Sequence, residues 1–551
     1  MNTPALFQHW EIRQKRTPYQ ALDQVLLSSR NIQDSSFFSL NYSQGIYDPF
    51  LFRHMGKAVD RIVQAIKGNE GVLIAGDYDL DGISGTSLLL DFFRYIRFPA
   101  QFKLPHRVED GYGLHTKTII EAHKAHIKVI ITVDNGISCQ QEVALAQSLG
   151  IDVIITDHHT IPEKIPPAYA ILHPKIAEET YPDKELTGSG VAYKLTCALA
   201  KKLLPEAEAE NYCKWSLDLA TLGTIADMGL LVGENRHIVH FGLQVLSKQR
   251  RPGIKKLLVF AGHQDANCNA DVVGFKLGPR LNAAGRMERA DLSVQLLMSS
   301  NEQEAEQLAA HLEKLNNERK NEAEKAFLLA DQSIADKSKS VLIAQSNLFH
   351  PGVIGLAASK LVERYQRPVL ILELREDVAI GSMRSIPGID LMPILYELKP
   401  FFIKFGGHAQ AAGFSVTKEQ LAGFIVAMET LFDRHLPLPP PTLMLDTELY
   451  ASDITLEACN QLEKFEPFGI GNTKPLFFME SAILKNVMPL GSSGKHWKLQ
   501  LMDQRVQQGF QAVIFNTMEA QFKPEMNLAV RLNMNIWNNQ KSPQIIIEHI
   551  Q

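Results

Sequence analysis

The sequence has few of the features that would place it in a specialised class. Its five cysteines, Cys139, Cys197, Cys213, Cys268 and Cys459, are scattered, odd in number and nowhere spaced Cys-x-x-Cys. A disulfide framework and a cysteine zinc cluster are thereby disfavoured, and buried reduced thiols are expected. No apolar run reaches the roughly 18 residues that a membrane helix needs, so no membrane partner is expected. Met1–Leu6 has no basic stretch followed by an apolar one, which argues against a secretory leader and for the cytoplasm. There is no repeat of fixed period and no low-complexity tract. There is also no excess of positive charge, the formal net charge being -5. The charge balance therefore does not advertise nucleic acid. It does not exclude it either: a carboxylate-rich metal site adds negative charge, while a local basic groove can still hold phosphates.

What is present is an ordinary globular chain. Hydrophobic residues make up 45% and charged residues 21%, which excludes a disordered or fibrous protein. A length of 551 residues exceeds what one hydrophobic core supports, so several domains are expected.

In the first half, short β-branched runs alternate with helical stretches. Val72–Ala75, Lys128–Val133, Ile151–Thr156 and Ala168–Leu172 read as buried strands, and Lys117–His126 and Gln141–Gly150 as helices. Strand–helix–strand alternation implies an α/β domain with a parallel sheet covered on both faces, whose ligands sit beyond the carboxyl ends of the strands. From 301 to 335, Ala305, Leu308, Leu312 and Leu315 recur at helical spacing among charged residues, which predicts a long amphipathic helix connecting two domains. A second α/β region follows, with strands at Val341–Ala344 and Pro368–Leu372 and a helix at Gly355–Arg364. The proline-rich stretch Leu436–Pro441 marks a boundary. Beyond it, Trp497–Met502, Gly509–Phe515, Leu528–Trp537 and Gln544–Ile550 read as the short strands of a small β-barrel. The division read from this pattern is a catalytic domain with an N-terminal extension at 1–300, the connecting helix at 301–335, a second α/β domain at 336–436 and a barrel at 442–551.

The chemistry lies at predicted strand ends. Val72–Ala75 runs into Asp77-Tyr78-Asp79-Leu80-Asp81-Gly82, Lys128–Val133 into Asp134-Asn135-Gly136, and Ile151–Thr156 into Asp157-His158-His159. A fourth apolar stretch ends at Asp227, beside a turn at Gly229. A single Asp-Gly or Asp-Asn-Gly is ordinarily a turn, and a His-His pair is ordinarily structural. Several such clusters on successive strand ends are harder to explain that way, because carboxylates gathered without a cation repel one another and raise each other's pKa. Carboxylate oxygen and imidazole nitrogen suit Mg²⁺, Mn²⁺ or Zn²⁺, and two such ions can bridge a phosphate.

These clusters resemble the four motifs of the DHH phosphoesterase superfamily. Further stretches are similar to its RecJ family of single-strand-specific 5′→3′ DNA exonucleases. They are Arg107–Leu114, Gly278–Arg286, His350–Gly355, Gly406–Gly413 and Phe465–Asn472, in the family's order and over nearly the whole chain from about residue 40. Leu80, where the family has a small residue, and His173, where Asn is usual, depart from the pattern without removing a ligand.

The resemblance implies a DHH domain, a DHH-associated domain and an oligonucleotide-binding barrel. It implies two Mn²⁺ or Mg²⁺ ions on Asp79, Asp81, Asp134, His158 and Asp227, with Asp77 beside them and His159 in an open role that includes catalysis with Asp134. Asp157 reads as a supporting carboxylate. Substrate contacts are implied for Arg107, Arg280, Asn282, Arg286, Ser382, Arg384, Gly406, Gly407 and His408. Arg280 and Arg286 are read in a glycine-rich stretch where the backbone can approach a phosphate, Arg384 in a glycine-flanked turn, and Gly406-Gly407-His408 as leading into a helix at Ala409–Gly413. In the barrel, Lys495, His496, Trp497 and Lys498 are candidates for contact with bases, with Trp497 favoured as core. The implied activity is release of 5′-mononucleotides from single-stranded DNA in repair and recombination. The enzyme would be a cytoplasmic monomer, with a RecQ-type helicase and a single-strand-binding protein as partners. Two other readings fit the motifs: a phosphodiesterase acting on short oligonucleotides or cyclic dinucleotides, and a non-catalytic DHH scaffold.

Overall fold

A computed structural model describes residues 7, 9–32, 35–107, 109–263, 265, 267–491, 494–537 and 540–551. Met1–Leu6 and Val108 of the Arg107–Leu114 stretch lie outside them. Among the described residues, no helix is long and apolar enough to cross a membrane. All five cysteines are buried and free.

The first sheet has five parallel strands in the spatial order Gln101–Lys103, Gly71–Gly76, Ile127–Val133, Asp152–Thr156 and Ala170–Leu172. Its central strands are buried on both faces, as their unbroken β-branched runs demand. The strand that comes first in sequence stands second in space. The connections therefore leave to opposite sides of Gly71–Gly76 and Ile127–Val133, and a crevice opens between their carboxyl ends. Helices Leu80–Tyr95, Gly188–Leu203 and Leu217–Ala226 pack on one face, with Thr116–Lys124 and Gln140–Ser148 on the other.

Helix Glu302–Ser333 runs for 32 residues and belongs to two cores. Ala305, Ala309, Leu312 and Leu315 are buried in the core of the first domain, while Ala323, Ala326, Phe327 and Ala330 are buried against the second sheet. One apolar stripe thus fixes two domains rigidly to a single element. The second sheet is mixed, in the order Phe402–His408, Ala411–Thr417, Val378–Arg384, Val369–Leu374 and Leu342–Ser346, with only the last two strands parallel. The C-terminal strands Phe477–Pro489, Trp497–Asp503, Gln508–Ile514, Gln540–Ile550 and Glu525–Trp537 close on themselves through pairing of the first with the last. Closure leaves this sheet no free edge. Trp497 lies in the barrel core and donates its indole N–H to the Thr517 carbonyl at 2.9 Å.

Four readings from sequence need correction. The N-terminal extension does not join the first domain. His9–Ile12 pairs in parallel with Thr442–Leu445, and Leu22 and Leu26 of helix Leu22–Ser29 are buried in the barrel core. Ala411–Gly413 is not a helix start but a strand, forming a hairpin in which Gly406 and Gly407 face Gly413 and Ala412. Arg384 ends the strand Val378–Arg384 rather than lying in a turn, and Arg280 and Arg286 lie on helix Gly278–Met287, preceded by a π-helical turn at Val272–Leu277. Asp227 caps the C-terminus of helix Leu217–Ala226 and does not follow a strand. In each case local sequence was ambiguous, and packing against a neighbouring element decided the outcome.

Candidate metal centre

The crevice of the first sheet gathers seven polar side chains from four loops. Asp79 caps helix Leu80–Tyr95, accepting from the amides of Asp81 at 3.0 Å and Gly82 at 3.3 Å. Asp81, in the first turn of that helix, is buried and accepts from the amides of Gly188 at 2.7 Å and Ser189 at 2.9 Å. These two amides open helix Gly188–Leu203, whose positive end suits a carboxylate. Gly188 also lies so close to Asp134 that a β-carbon there would collide with the Asp134 carboxylate.

Three donor groups form, each with its atoms within 4.8 Å of one another: Asp77, Asp79 and Asp134; Asp81, His158 and Asp227; and Asp134, His158 and His159. His158 Nε2 stands 3.1 Å from Asp134 Oδ1, 3.6 Å from Asp227 Oδ2 and 3.8 Å from Asp81 Oδ2. Yet His158 Nε2, Asp134 Oδ1 and Asp77 Oδ1 are buried without a hydrogen-bond partner among the described residues. Burial, and then the neighbouring His159, hold His158 well below the ordinary imidazole range, so the ring is neutral. A divalent cation held by these atoms would supply the partner that each of them lacks.

The acids agree. Burial raises Asp77, with Asp79 adding to it; Asp134 and Asp227 rise by burial and then by the charge of Asp81. Asp81 is pushed up to about 6 by burial and by Asp79, despite its amide bonds. The residues present thus fit a pair of hard cations.

Asp157 is different. Its Oδ2 accepts from the Ile137 amide at 2.9 Å, and its Oδ1 accepts from the His158 amide at 2.7 Å and from His159 Nδ1 at 2.8 Å. Burial alone would raise it, but the His159 bond and charge hold it far below the usual carboxylate range. His159 in turn is lifted to about 9, because the bond to Asp157 outweighs the effect of burial. Tyr112 Oη lies 3.0 Å from His159 Nδ1 and 3.0 Å from the Asp134 carbonyl. His173 Nε2 lies 2.8 Å from the carbonyl of His159 while its Nδ1 accepts from the Lys175 amide, so this departure from the family pattern fixes the histidine loop.

The second domain closes over the crevice. The His408 ring lies 5.7 Å from that of His159 at an interplanar angle of 22°. Arg286 Nη1 donates to the Gly352 carbonyl at 3.1 Å, and Arg384 Nη1 donates to Ser382 Oγ at 3.2 Å and the Met383 carbonyl at 2.8 Å. Arg107 stacks over Tyr78 at 4.8 Å. Among the described residues none of these three arginines forms a salt bridge. Burial, and then the charge of Arg107 among others, lowers Arg286 to about 9 and Arg384 to about 10. Three arginines gathered without a salt bridge can take up an anion.

Two candidates fall elsewhere. Arg280 is paired with Glu313 of the long helix and donates to the Lys276 carbonyl at 2.8 Å, which makes it a brace. Asn282 Oδ1 accepts from the Leu80 amide at 2.8 Å, so it holds the first acidic loop. Sequence reading gave no role to Tyr112 or to the Gly188 and Ser189 amides. The string Thr187-Gly188-Ser189-Gly190, an N-cap followed by small residues, was the available signal.

A doubly wound sheet with paired carboxylate–imidazole groups at its switch point, covered by an arginine-bearing second domain, defines a phosphoesterase of the DHH type. Family models agree: the DHH family N-terminal domain matches residues 71–224, the DHHA1 domain 338–433 and the RecJ OB domain 445–549. The single-stranded-DNA-specific exonuclease RecJ of Escherichia coli is 34% identical over 90% of this chain and 89% of its own. That of Bacillus subtilis is 38% identical over 91% of this chain, which spans 64% of the Bacillus protein's length. The crystal structure of RecJ from Thermus thermophilus in complex with Mn²⁺ superposes with a TM-score of 0.83 at 26% identity, covering 96% of this chain and 75% of that one. The chain belongs to the RecJ family of single-stranded-DNA-specific exonucleases.

Proposed function

We propose that this protein hydrolyses single-stranded DNA from the 5′ end, releasing 5′-mononucleotides. The observation that carries the reading is the juxtaposition, in one cleft, of a carboxylate–imidazole cluster with buried, unpartnered donor atoms and an arginine cluster without salt bridges among the described residues. A metal-bound phosphodiester satisfies both. Asp77, Asp79 and Asp134 would hold one ion, and Asp81, His158 and Asp227 the other, with Asp134 placed to reach both. Two Mn²⁺ or Mg²⁺ ions would supply Lewis acidity toward the scissile phosphate and its attacking water.

The chain's own groups do the rest. Asp157 keeps His159 protonated at neutral pH, and that ring can stabilise developing charge or give a proton to the leaving oxygen. Arg107, Arg286 and Arg384 grip the phosphates. Ser382 orients Arg384, and His408, with Gly406 and Gly407 beside it, faces the reacting phosphate from the second domain. The cleft, held by the long helix, would admit one strand and reject a duplex. The barrel, which carries the N-terminal strand and helix, would bind the rest of the strand. The division at 1–300, 301–335, 336–436 and 442–551 is otherwise part of this reading. So is a cytoplasmic monomer in repair and recombination, working with a RecQ-type helicase and a single-strand-binding protein.

Product analysis on single strands labelled at either end, with each metal, tests the proposal. Mononucleotides released first from the 5′ label support it; release from the 3′ label, or equal rates on a dinucleotide, would sink it. A folded Asp134→Ala variant with full Mn²⁺-dependent activity would sink the metal assignment.

A further inference from the structure

The acids of the metal centre are not equally supported. Asp79 and Asp81 are each fixed by two backbone amides. The carboxylate of Asp227 accepts no hydrogen bond among the described residues and stands 3.6 Å from the His158 ring. Its aim therefore depends chiefly on its backbone. That backbone is a helix end followed by a tight turn: the Asp227 amide donates to the Gly223 carbonyl at 2.9 Å, and the Gly229 amide to the Thr224 carbonyl at 3.0 Å, with Met228 between them at a left-handed φ of 57°. Such an end frays unless something beyond it is anchored.

The anchor comes from the barrel side of the molecule. The Leu231 amide donates to the Ile470 carbonyl at 2.7 Å, and the Leu231 side chain is buried against the backbone of Gly469. A β-carbon at Gly469 would stand 2.6 Å from Leu231 Cδ1, so only glycine admits the leucine. The Phe465–Asn472 loop is itself stiff. Asn472 Nδ2 donates to the carbonyls of Phe465 at 2.7 Å and Pro467 at 2.9 Å, and Gly469 and Asn472 exchange backbone bonds. A second tie runs from Arg236 Nη1 to the Phe465 carbonyl at 2.9 Å, just beyond the turn.

We propose that the Phe465–Asn472 loop is a positioning element for the metal centre: through Ile470, Gly469 and Leu231 it holds the turn that aims Asp227. The proposal rests on Asp227 being a metal ligand. It gives this loop a task in catalysis, not only in joining domains, and makes the barrel's seating a condition of metal binding.

The test is Mn²⁺ affinity of the full chain, read from loss of the free-ion paramagnetic resonance signal, with melting measured in parallel. Gly469→Val and Leu231→Ala should each weaken Mn²⁺ binding about tenfold, the lower end of what loss of a supporting contact costs a metal site. The double variant, in which the valine refills the space left by the leucine, should recover most of the loss. Leu501→Ala, in the barrel core away from the turn, should lower the melting temperature and leave Mn²⁺ affinity unchanged. Unchanged affinity in both single variants overturns the proposal, as does an equal loss in Leu501→Ala. Leu231→Ala introduces no clash, so it reports even where Gly469→Val fails to fold. Asp227→Asn separates the premises: if it binds Mn²⁺ normally, the ligand assignment itself is wrong; if it does not while the loop variants do, only the positioning role falls.

Discussion

The cleft has an acidic wall and a basic wall, and they break the same rule in opposite senses. Buried charges ordinarily pair. On the first sheet, Asp77, Asp81 and Asp134 are buried and raised, by burial and then by neighbouring carboxylates; above it, Arg286 and Arg384 are lowered, by burial and then by the charge of Arg107. No ion pair joins the two walls among the described residues. Elsewhere the same chain pairs its buried charges, as Lys194 with Glu234 at 2.6 Å. The contrast teaches that each wall is completed from outside, one by cations and the other by an anion.

The largest expected effect breaks the acidic wall. Asp134→Asn should lower kcat/KM on single-stranded DNA by roughly 10³-fold, the several kcal/mol that metal catalysis supplies. It should also raise the melting temperature of the metal-free chain, because a repelling buried carboxylate is gone, and abolish stabilisation by added Mn²⁺. In the unaltered chain, Mn²⁺ at 100 times its dissociation constant should add about 2.7 kcal/mol to stability, read as a shift in melting temperature. Loss of activity with that shift retained would mean that Asp134 is not a ligand.

The basic wall should respond more gently and differently. Arg384→Met should reduce kcat/KM by about 10–100-fold, as for one charge-assisted contact of 1.5–3 kcal/mol, and lower the salt slope of DNA binding by about 1. Its Mn²⁺ affinity should be unchanged; a change there would mean that the two walls are coupled. Arg280→Met is the matched control. It should cost about 1–3 kcal/mol of stability by leaving Glu313 unpaired, with kcat/KM intact.

The smallest effect concerns pH. Asp81 is pushed up to about 6 in the folded chain, above its ordinary 3.8, so the metal-free folded chain holds more protons than the unfolded chain between those values. This contribution to stability is therefore greatest below 3.8 and is lost as pH rises through 6. Melting of the metal-free chain should fall over that window, and Asp81→Asn should flatten the fall. A rise in both proteins alike would show that Asp81 carries no such strain.

Much of the acidic wall was legible in sequence, because its motifs are local: a buried β-branched run followed at once by Asp, Asn, Gly or His places those side chains at a strand's carboxyl end. The basic wall was legible only as a set of arginines near glycines. Which of them converge was not, since Arg280 and Arg286 lie six positions apart on one helix and point into different surroundings. Asp227 was visible as a residue, but its helix end was not, because Leu217–Ala226 is buried on almost every side, its polar Asp218, Thr221 and Thr224 included, so exposure offers little contrast to distinguish helix from strand.

By itself, the sequence determined the α/β class, the barrel and the strand-end acids, since these follow from hydrophobic period and from neighbours in the chain. Tertiary structure alone decided that the N-terminal strand pairs with Thr442–Leu445 and the helix after it enters the barrel core, that His408 faces His159, and that a loop far along the chain, at Ile470, abuts the turn after Asp227. Pairings of that kind depend on backbone hydrogen bonds and shape, which almost any side chain can serve, so they leave little trace in the order of residues.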